Sequence, residues 1–176
     1  MLKKTPVEMN RLSHEDYKSK KKKNIIILLD NIRSMHNVGA AFRVADAFLI
    51  EKVILCGITA SPPRKEITKT ALGAEENVSW EYFHASMEAI KELKNKNYEV
   101  VAIEQAHNSV SLENFSINNE KKYALVFGHE VNGINDEILK ECNSCCEITQ
   151  YGMKHSLNIS VALGIVCWKF SLTEHN

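Results

Sequence analysis

Asn37 and Arg43 lie within residues 31–48 (NIRSMHNVGAAFRVADAF), where Val38, Ala41, Phe42, Ala45 and Phe48 share one helical face. Helical spacing sets Arg43 about one and a half turns past Asn37. A helix start there offers peptide N–H groups to an anion, which makes a phosphate a well-placed ligand. The plainer alternative has Asn37 capping a helix that begins near Val38, with Arg43 snorkelling to solvent. A guanidinium stays protonated in proteins, so Arg43 suits holding and orienting an anion rather than removing a proton.

A second set, Gly128-His129-Glu130-Val131-Asn132-Gly133, follows the apolar run 123–127. Glycine after a strand permits close backbone approach and positive φ. The run is neither a P-loop nor G-x-G-x-x-G, and turn geometry alone accounts for such a glycine most of the time. Glu130 reads as the partner of a cation, as the partner of Asn37, or as a solvated or capping acid next to the helix at Asp136. The third set, Ser156-Leu157-Asn158, opens a run to Phe170 that is too apolar for an ordinary surface helix. Ser156 and Asn158 are capping residue types. No G-x-S-x-G elbow surrounds Ser156, which disfavours a nucleophilic serine.

Cys142 and Cys145 form a C-x-x-C, but no second ligand pair at similar spacing accompanies them. Half-buried thiols flanking a strand are the expectation, and no metal is assigned. Lys plus Arg and Asp plus Glu both number 22, so the net charge is zero and nucleic-acid affinity must come from local patches. Lys18 and Lys20 to Lys23 form the densest basic run, after a helix start where Ser13 and Asp16 have capping-box spacing. A solvated, disordered basic tail is the competing reading. The C-terminal apolar run is interrupted by Asn158, Ser160 and Lys169 and falls short of the roughly 20 apolar residues a bilayer needs, so it reads as a buried helix. The N-terminus lacks the pattern of an export signal, which predicts a cytoplasmic protein with reduced cysteines.

Stepping outward from these residues, β-branched runs at 25–29, 52–56, 99–103 and 123–127 read as strands, with weaker ones at 79–83 and 146–149. Helical patterns separate them: the Val38 to Phe48 stripe, a helix capped by Ser86 with Ala89, Ile90 and Leu93 on one face, 136–142, and 157–172. Near-continuous apolar strands alternating with helices predict a single three-layer α/β domain with a mostly parallel sheet. In such sheets ligands bind beyond the carboxyl ends of strands, where the three polar sets fall.

The three blocks, in this order, resemble the motifs of the SpoU (TrmH-like) branch of the SPOUT RNA 2′-O-ribose methyltransferases. The resemblance covers nearly all of residues 24–170 and implies S-adenosylmethionine-dependent methylation of a ribose 2′-hydroxyl. It implies a C-terminal deep trefoil knot, with Gly128, Ile148 and Leu157 at cofactor-contact positions and Glu104, after the run 99–103, as a further one. It assigns Asn37, Arg43, Glu130, Ser156 and Asn158 to the catalytic and RNA-contacting set, and it implies a homodimer. Thr149 departs from the pattern, since many relatives carry proline there. On this reading residues 1–23 are a short basic extension and 24–176 the methyltransferase domain, and tRNA is favoured over rRNA as substrate. The competing function is a catalytically silent RNA-binding protein of the same fold.

Overall fold

β1 (Lys23–Asp30) is apolar on both faces because it must be: Ile27, Leu28 and Leu29 are each wholly buried, which only a central strand with helices on both sides achieves. In the computed structural model, which describes residues 1–5, 8, 12–154 and 156–172, β1 lies between β2 (Ile50–Cys56) and β6 (Lys122–Phe127). Positions 6, 7, 9–11, 155 and 173–176 of the expected extension and domain lie outside the described residues. β3 (Trp80–Phe83), β4 (Tyr98–Ile103), β5 (Val110–Ser111) and β7 (Ser144–Glu147) complete a seven-stranded sheet in the order β3-β2-β1-β6-β4-β7-β5. Every pairing is parallel, so the sheet is wholly and not mostly parallel.

The strands' period-2 alternation divides the core into two. On one face Ile25, Ile27, Leu29, Val53 and Leu55 meet α2 (Met35–Ala47), α3 (Lys65–Ala71) and α7 (Ile159–Ser171) through Val38, Phe42, Ile67, Leu163 and Phe170. On the other, Ile26, Leu28, Ile54 and Val126 meet α5 (Ser86–Asn95) and α6 (Asp136–Glu141) through Ile90, Leu93 and Ile138. These are the expected three layers. α1 (His14–Ser19) starts at Ser13, whose hydroxyl accepts from the Asp16 N–H, and it buries Tyr17 in the first core.

Several local expectations change. The N-cap of α2 is Ser34, not Asn37, which lies within the helix. Ser86 is the first helical residue of α5 rather than its cap, and its hydroxyl donates to the buried Asp30 carboxylate. α3, α4 (Ala74–Asn77) and β5 have no counterpart in the sequence reading. Leu72 and Gly73, both at positive φ, separate the two short helices.

α3 explains Gly39. A Cβ there would lie 2.5 Å from the Ile67 carbonyl oxygen and 2.9 Å from Thr70 Cβ, so α2 and α3 touch at a point where only glycine fits. In an exposed helix interior, Gly→Ala gains about 1 kcal/mol. Gly39→Ala is expected to lose about 1–3 kcal/mol through overpacking, read by urea denaturation; stability equal to or above wild type would show that α3 moves aside at no cost.

Candidate functional site

The carboxyl ends of β6, β4 and β7, neighbours in the sheet, hold a cavity of about 520 Å³. Its wall comprises Glu104 and Gln105 after β4, Gly128 to Val131 and Gly133 after β6, Ile148 and Gln150 after β7, and Ser156, Leu157 and Asn158 ahead of α7. Ile103, Phe127, Ile159 and Ala162 supply apolar floor. Cavities that take a nucleoside-sized ligand have this size and this mixture of apolar wall and a few polar groups.

The loop after β6 is closed on itself. His129 and Gly133 exchange both backbone bonds, at 3.1 and 2.8 Å, while His129 Nδ1 accepts from the N–H groups of Val131 and Asn132. Gly133 supplies the positive φ of 64° that the turn requires. A Cβ at Gly128 would lie 2.5 Å from the carbonyl carbon of Gly133 and from the Ile134 nitrogen, so loop closure by itself demands glycine there. Glu104 clamps the base of the loop: one carboxylate oxygen accepts from Gln105 N–H at 2.9 Å, the other from Ile134 N–H at 3.0 Å. It therefore lines the cavity with a carboxylate already committed to backbone donors.

Glu130 reaches out of the loop to the start of α2. Its oxygens accept from the N–H groups of Arg33 and Ser34 and from the Asn37 side-chain amide, each at 3.0 Å. The partnership with Asn37 is the arrangement formed. The helix at Asp136 is capped instead by Asn135, whose side chain accepts from Ile138 N–H. Burial works to raise the Glu130 carboxyl, but hydrogen bonds from Arg33, Ser34, its own N–H and Asn37 outweigh it and hold the group below its ordinary value.

Seven of the nine expected site residues thus meet at one cavity: Glu104, Gly128, Glu130, Ile148, Ser156, Leu157 and Asn158. Asn37 joins it through Glu130. Arg43 does not line it; it is exposed on α2. Nor does it stand at a helix start, because α2 begins at Met35 and the anion at that start is the Glu130 carboxylate itself. Asn158 caps α7, accepting from Ser160 N–H at 2.8 Å, so a capping role and a place in the cavity wall coexist. Gln105, His129 and Gln150 line the cavity and were not among the expected site residues; their one signal was position in the loops that follow strands. At Thr149 the hydroxyl donates to Glu113 at 3.1 Å, a side-chain tether for the cavity loop.

The cysteines stand apart from this chemistry. Burial pushes the thiols of Cys142 and Cys146 up to about 12, and Cys142 Sγ donates to the Ile138 carbonyl while Cys145 Sγ donates to that of Glu104. Thiols held protonated are poor nucleophiles and poor ligands.

Known proteins share this architecture. A tRNA (guanosine(18)-2′-O)-methyltransferase of Aquifex aeolicus is 29% identical over 151 residues, covering 85% of this chain and 70% of its own. A 23S rRNA (guanosine-2′-O-)-methyltransferase of Neisseria meningitidis is 27% identical over 142 residues, covering 81% of this chain, which spans only 56% of that relative. The crystal structure of an A. aeolicus TrmH/SpoU tRNA modifying enzyme aligns with a TM-score of 0.79 at 26% identity, over 90% of this chain and 79% of that one. An AdoMet-bound rRNA methyltransferase from Sinorhizobium meliloti aligns at 0.81 with 24% identity, over 94% and 62%, and shares the fold. The model of the SpoU rRNA methylase family matches residues 24–168, a span that holds all of the sheet but Lys23 and every wall of the cavity, and the chain belongs to that family.

Proposed function

We propose that the protein is an S-adenosylmethionine-dependent RNA methyltransferase that modifies a ribose 2′-hydroxyl. One observation carries the reading: the cavity over β6, β4 and β7 is tied, through Glu130, to the Asn37 end of the helix that bears Arg43. The cavity fits the cofactor by size, by its apolar floor, and by the exposed peptide groups of three strand-end loops that can read a nucleoside edge. Gly128, Ile148 and Leu157 would hold it, with Gln105 and Gln150 as further polar contacts. When bound, the cofactor supplies a methyl group on a sulfonium that departs as a neutral thioether.

The chain's own residues then have separable tasks. Glu130 fixes the first turn of α2 against the cavity loop and orients the Asn37 amide. Arg43, permanently charged, holds a substrate phosphate and positions the hydroxyl, while that phosphate assists removal of the proton. Ser156 and Asn158 shape the mouth. Similarity to two relatives named as tRNA (guanosine(18)-2′-O)-methyltransferases, each 29% identical, makes tRNA the favoured substrate class and the cytoplasm the expected place of reaction.

The same reading includes a homodimer and the knotted C-terminal threading that the resemblance implies. α7 supports the dimer. It buries Leu163, Val166, Cys167 and Phe170 yet exposes Val161, Ile165, Trp168 and Leu172 on the opposite stripe. An exposed apolar stripe of that kind marks an interface.

Mapping 2′-O-methyl sites in total RNA from cells with and without the gene tests the activity. One site or a small set should vanish on deletion and return with wild type but not with Arg43→Ala. The purified variant should bind S-adenosylmethionine normally while single-turnover methyl transfer at saturating RNA falls about a hundredfold or more. Near-wild-type rates would sink the assigned role of Arg43, and an unchanged methylation map would sink the activity.

Because the Glu130 carboxyl is held down, its stabilising contribution is complete above the ordinary carboxylate value and is lost as pH falls through the lowered one. Glu130→Gln leaves one acceptor oxygen for three donors. The melting-temperature gap between wild type and Glu130→Gln should be widest near neutral pH and close on acidification; a gap independent of pH would show that charge is irrelevant there.

Wild type should sediment as a dimer at micromolar concentration and Trp168→Glu as a folded monomer. Trp168 is 53% exposed in the single chain, whereas an unpaired charge buried in an interface costs about 3–5 kcal/mol. A monomeric wild type in analytical ultracentrifugation refutes the dimer.

A further inference from the structure

The basic run of the N-terminal region is partly consumed by the fold. Lys22 Nζ sits 3.1 Å from the centre of the Tyr17 ring and donates to the Tyr17 carbonyl, and Lys23 Nζ donates to the Ser171 carbonyl. A second basic surface is assembled only in three dimensions. Residues 31–45 contain Arg33 and Arg43 and no acid, and residues 57–73 contain Arg64, Lys65 and Lys69 against Glu66 alone. A chain with equal numbers of cations and anions thus concentrates five cations against one acid on two segments that pack together.

That packing is specific. His36, Gly39 and Arg43 occupy one face of α2. His36 Nδ1 lies 3.0 Å from Thr70 Oγ1 and Gly39 abuts Ile67 and Thr70, so α3 runs beside the same face from which Arg43 emerges. Arg33 marks the other end, where its N–H is held by Glu130 at the cavity rim. All five cations are exposed. Among the described residues, the ion pairs Lys52–Glu81, Lys94–Glu141, Lys96–Glu92 and Lys121–Glu99 lie elsewhere, and none engages these five.

Residue choice adds a second signal. The chain has 18 lysines and four arginines, and three of the four arginines are Arg33, Arg43 and Arg64. Arginine is the cation whose planar, forked donors match phosphate and whose weaker hydration suits it to leave water for an anion. Arg64 stands exposed at the position immediately before α3.

We propose that the surface shared by α2 and α3, built from Arg64, Lys65 and Lys69 and continued by Arg33 to the cavity rim, grips the phosphate backbone of the RNA substrate. It is a docking surface for polyanionic RNA that leads toward the cavity, and it rests on the RNA methyltransferase reading above. Arg64, Lys65 and Lys69 act by positioning; they touch no reacting atom.

The test measures binding of a pool of unmodified, in vitro transcribed tRNA across a salt series. The triple variant Arg64→Ala, Lys65→Ala, Lys69→Ala is compared with a charge-matched control, Lys94→Ala, Lys96→Ala, Lys121→Ala, whose lysines are already paired. Neutralising about three phosphate contacts should flatten the log–log salt slope by about 2 and weaken affinity at least about tenfold near physiological salt. The control should keep the wild-type slope, and both variants should bind S-adenosylmethionine as wild type does. Methyl transfer at saturating RNA should be unchanged in the triple variant, with the loss confined to KM. Equal slopes in wild type and triple variant, or equal losses in both variants, would overturn the surface while leaving the methyltransferase reading standing. Failure of wild type to bind or methylate any RNA would instead remove that reading, and this one with it.

Discussion

The Glu130 carboxylate is the joint on which the site depends. A helix start leaves peptide N–H groups without partners and a partial positive charge. Here the anion that satisfies them comes from a loop 96 and 97 residues away in sequence. Because that loop is locked by the His129–Gly133 bridge and clamped below by Glu104, α2 inherits the rigidity of the sheet edge. The cavity loop and the first turn of the helix bearing Arg43 are therefore joined within one chain.

The sheet explains why the cavity stands where it does. All strands run the same way, so every strand-to-helix loop leaves from one edge, and the loops after β6, β4 and β7 converge there although the chain visits β4 first. Burial on both faces keeps those strand ends from shifting. Gly128 answers to the loop's own backbone, Gly133 to its positive φ and to the Glu104 carboxylate packed against it, and both line the cavity.

Charge is managed locally rather than globally. With cations and anions in balance, the protein has no net field to draw in a polyanion. Pairing lysines with glutamates on the β2–β3 edge and around α5 quiets those surfaces, whereas, among the described residues, the exposed cations on α2 and α3 take part in none of these ion pairs. α7 has a comparable division, one stripe completing the core and the other left apolar and exposed.

Much of this was legible in the residues themselves. Runs such as 25–29 and 123–127 read as buried strands, their alternation with helices predicts a three-layer α/β domain, and polar sets in the segments between apolar runs mark a ligand site. These are local properties, set by period, propensity and the order of elements along the chain. What depended on contacts between distant segments was not readable. α3 and α4 are too short and polar to show a helical period, so the packing role of Gly39 and the basic surface around Arg64 were invisible. A capping role for Asn37 stood as an alternative because capping types look alike in sequence; only the fold shows Ser34 in that place and Asn37 bound to Glu130. The residue types able to do chemistry are written in the sequence, whereas which of them share a cavity is decided by the tertiary structure, because a carboxylate's partner is whichever donor the packed sheet brings within 3 Å.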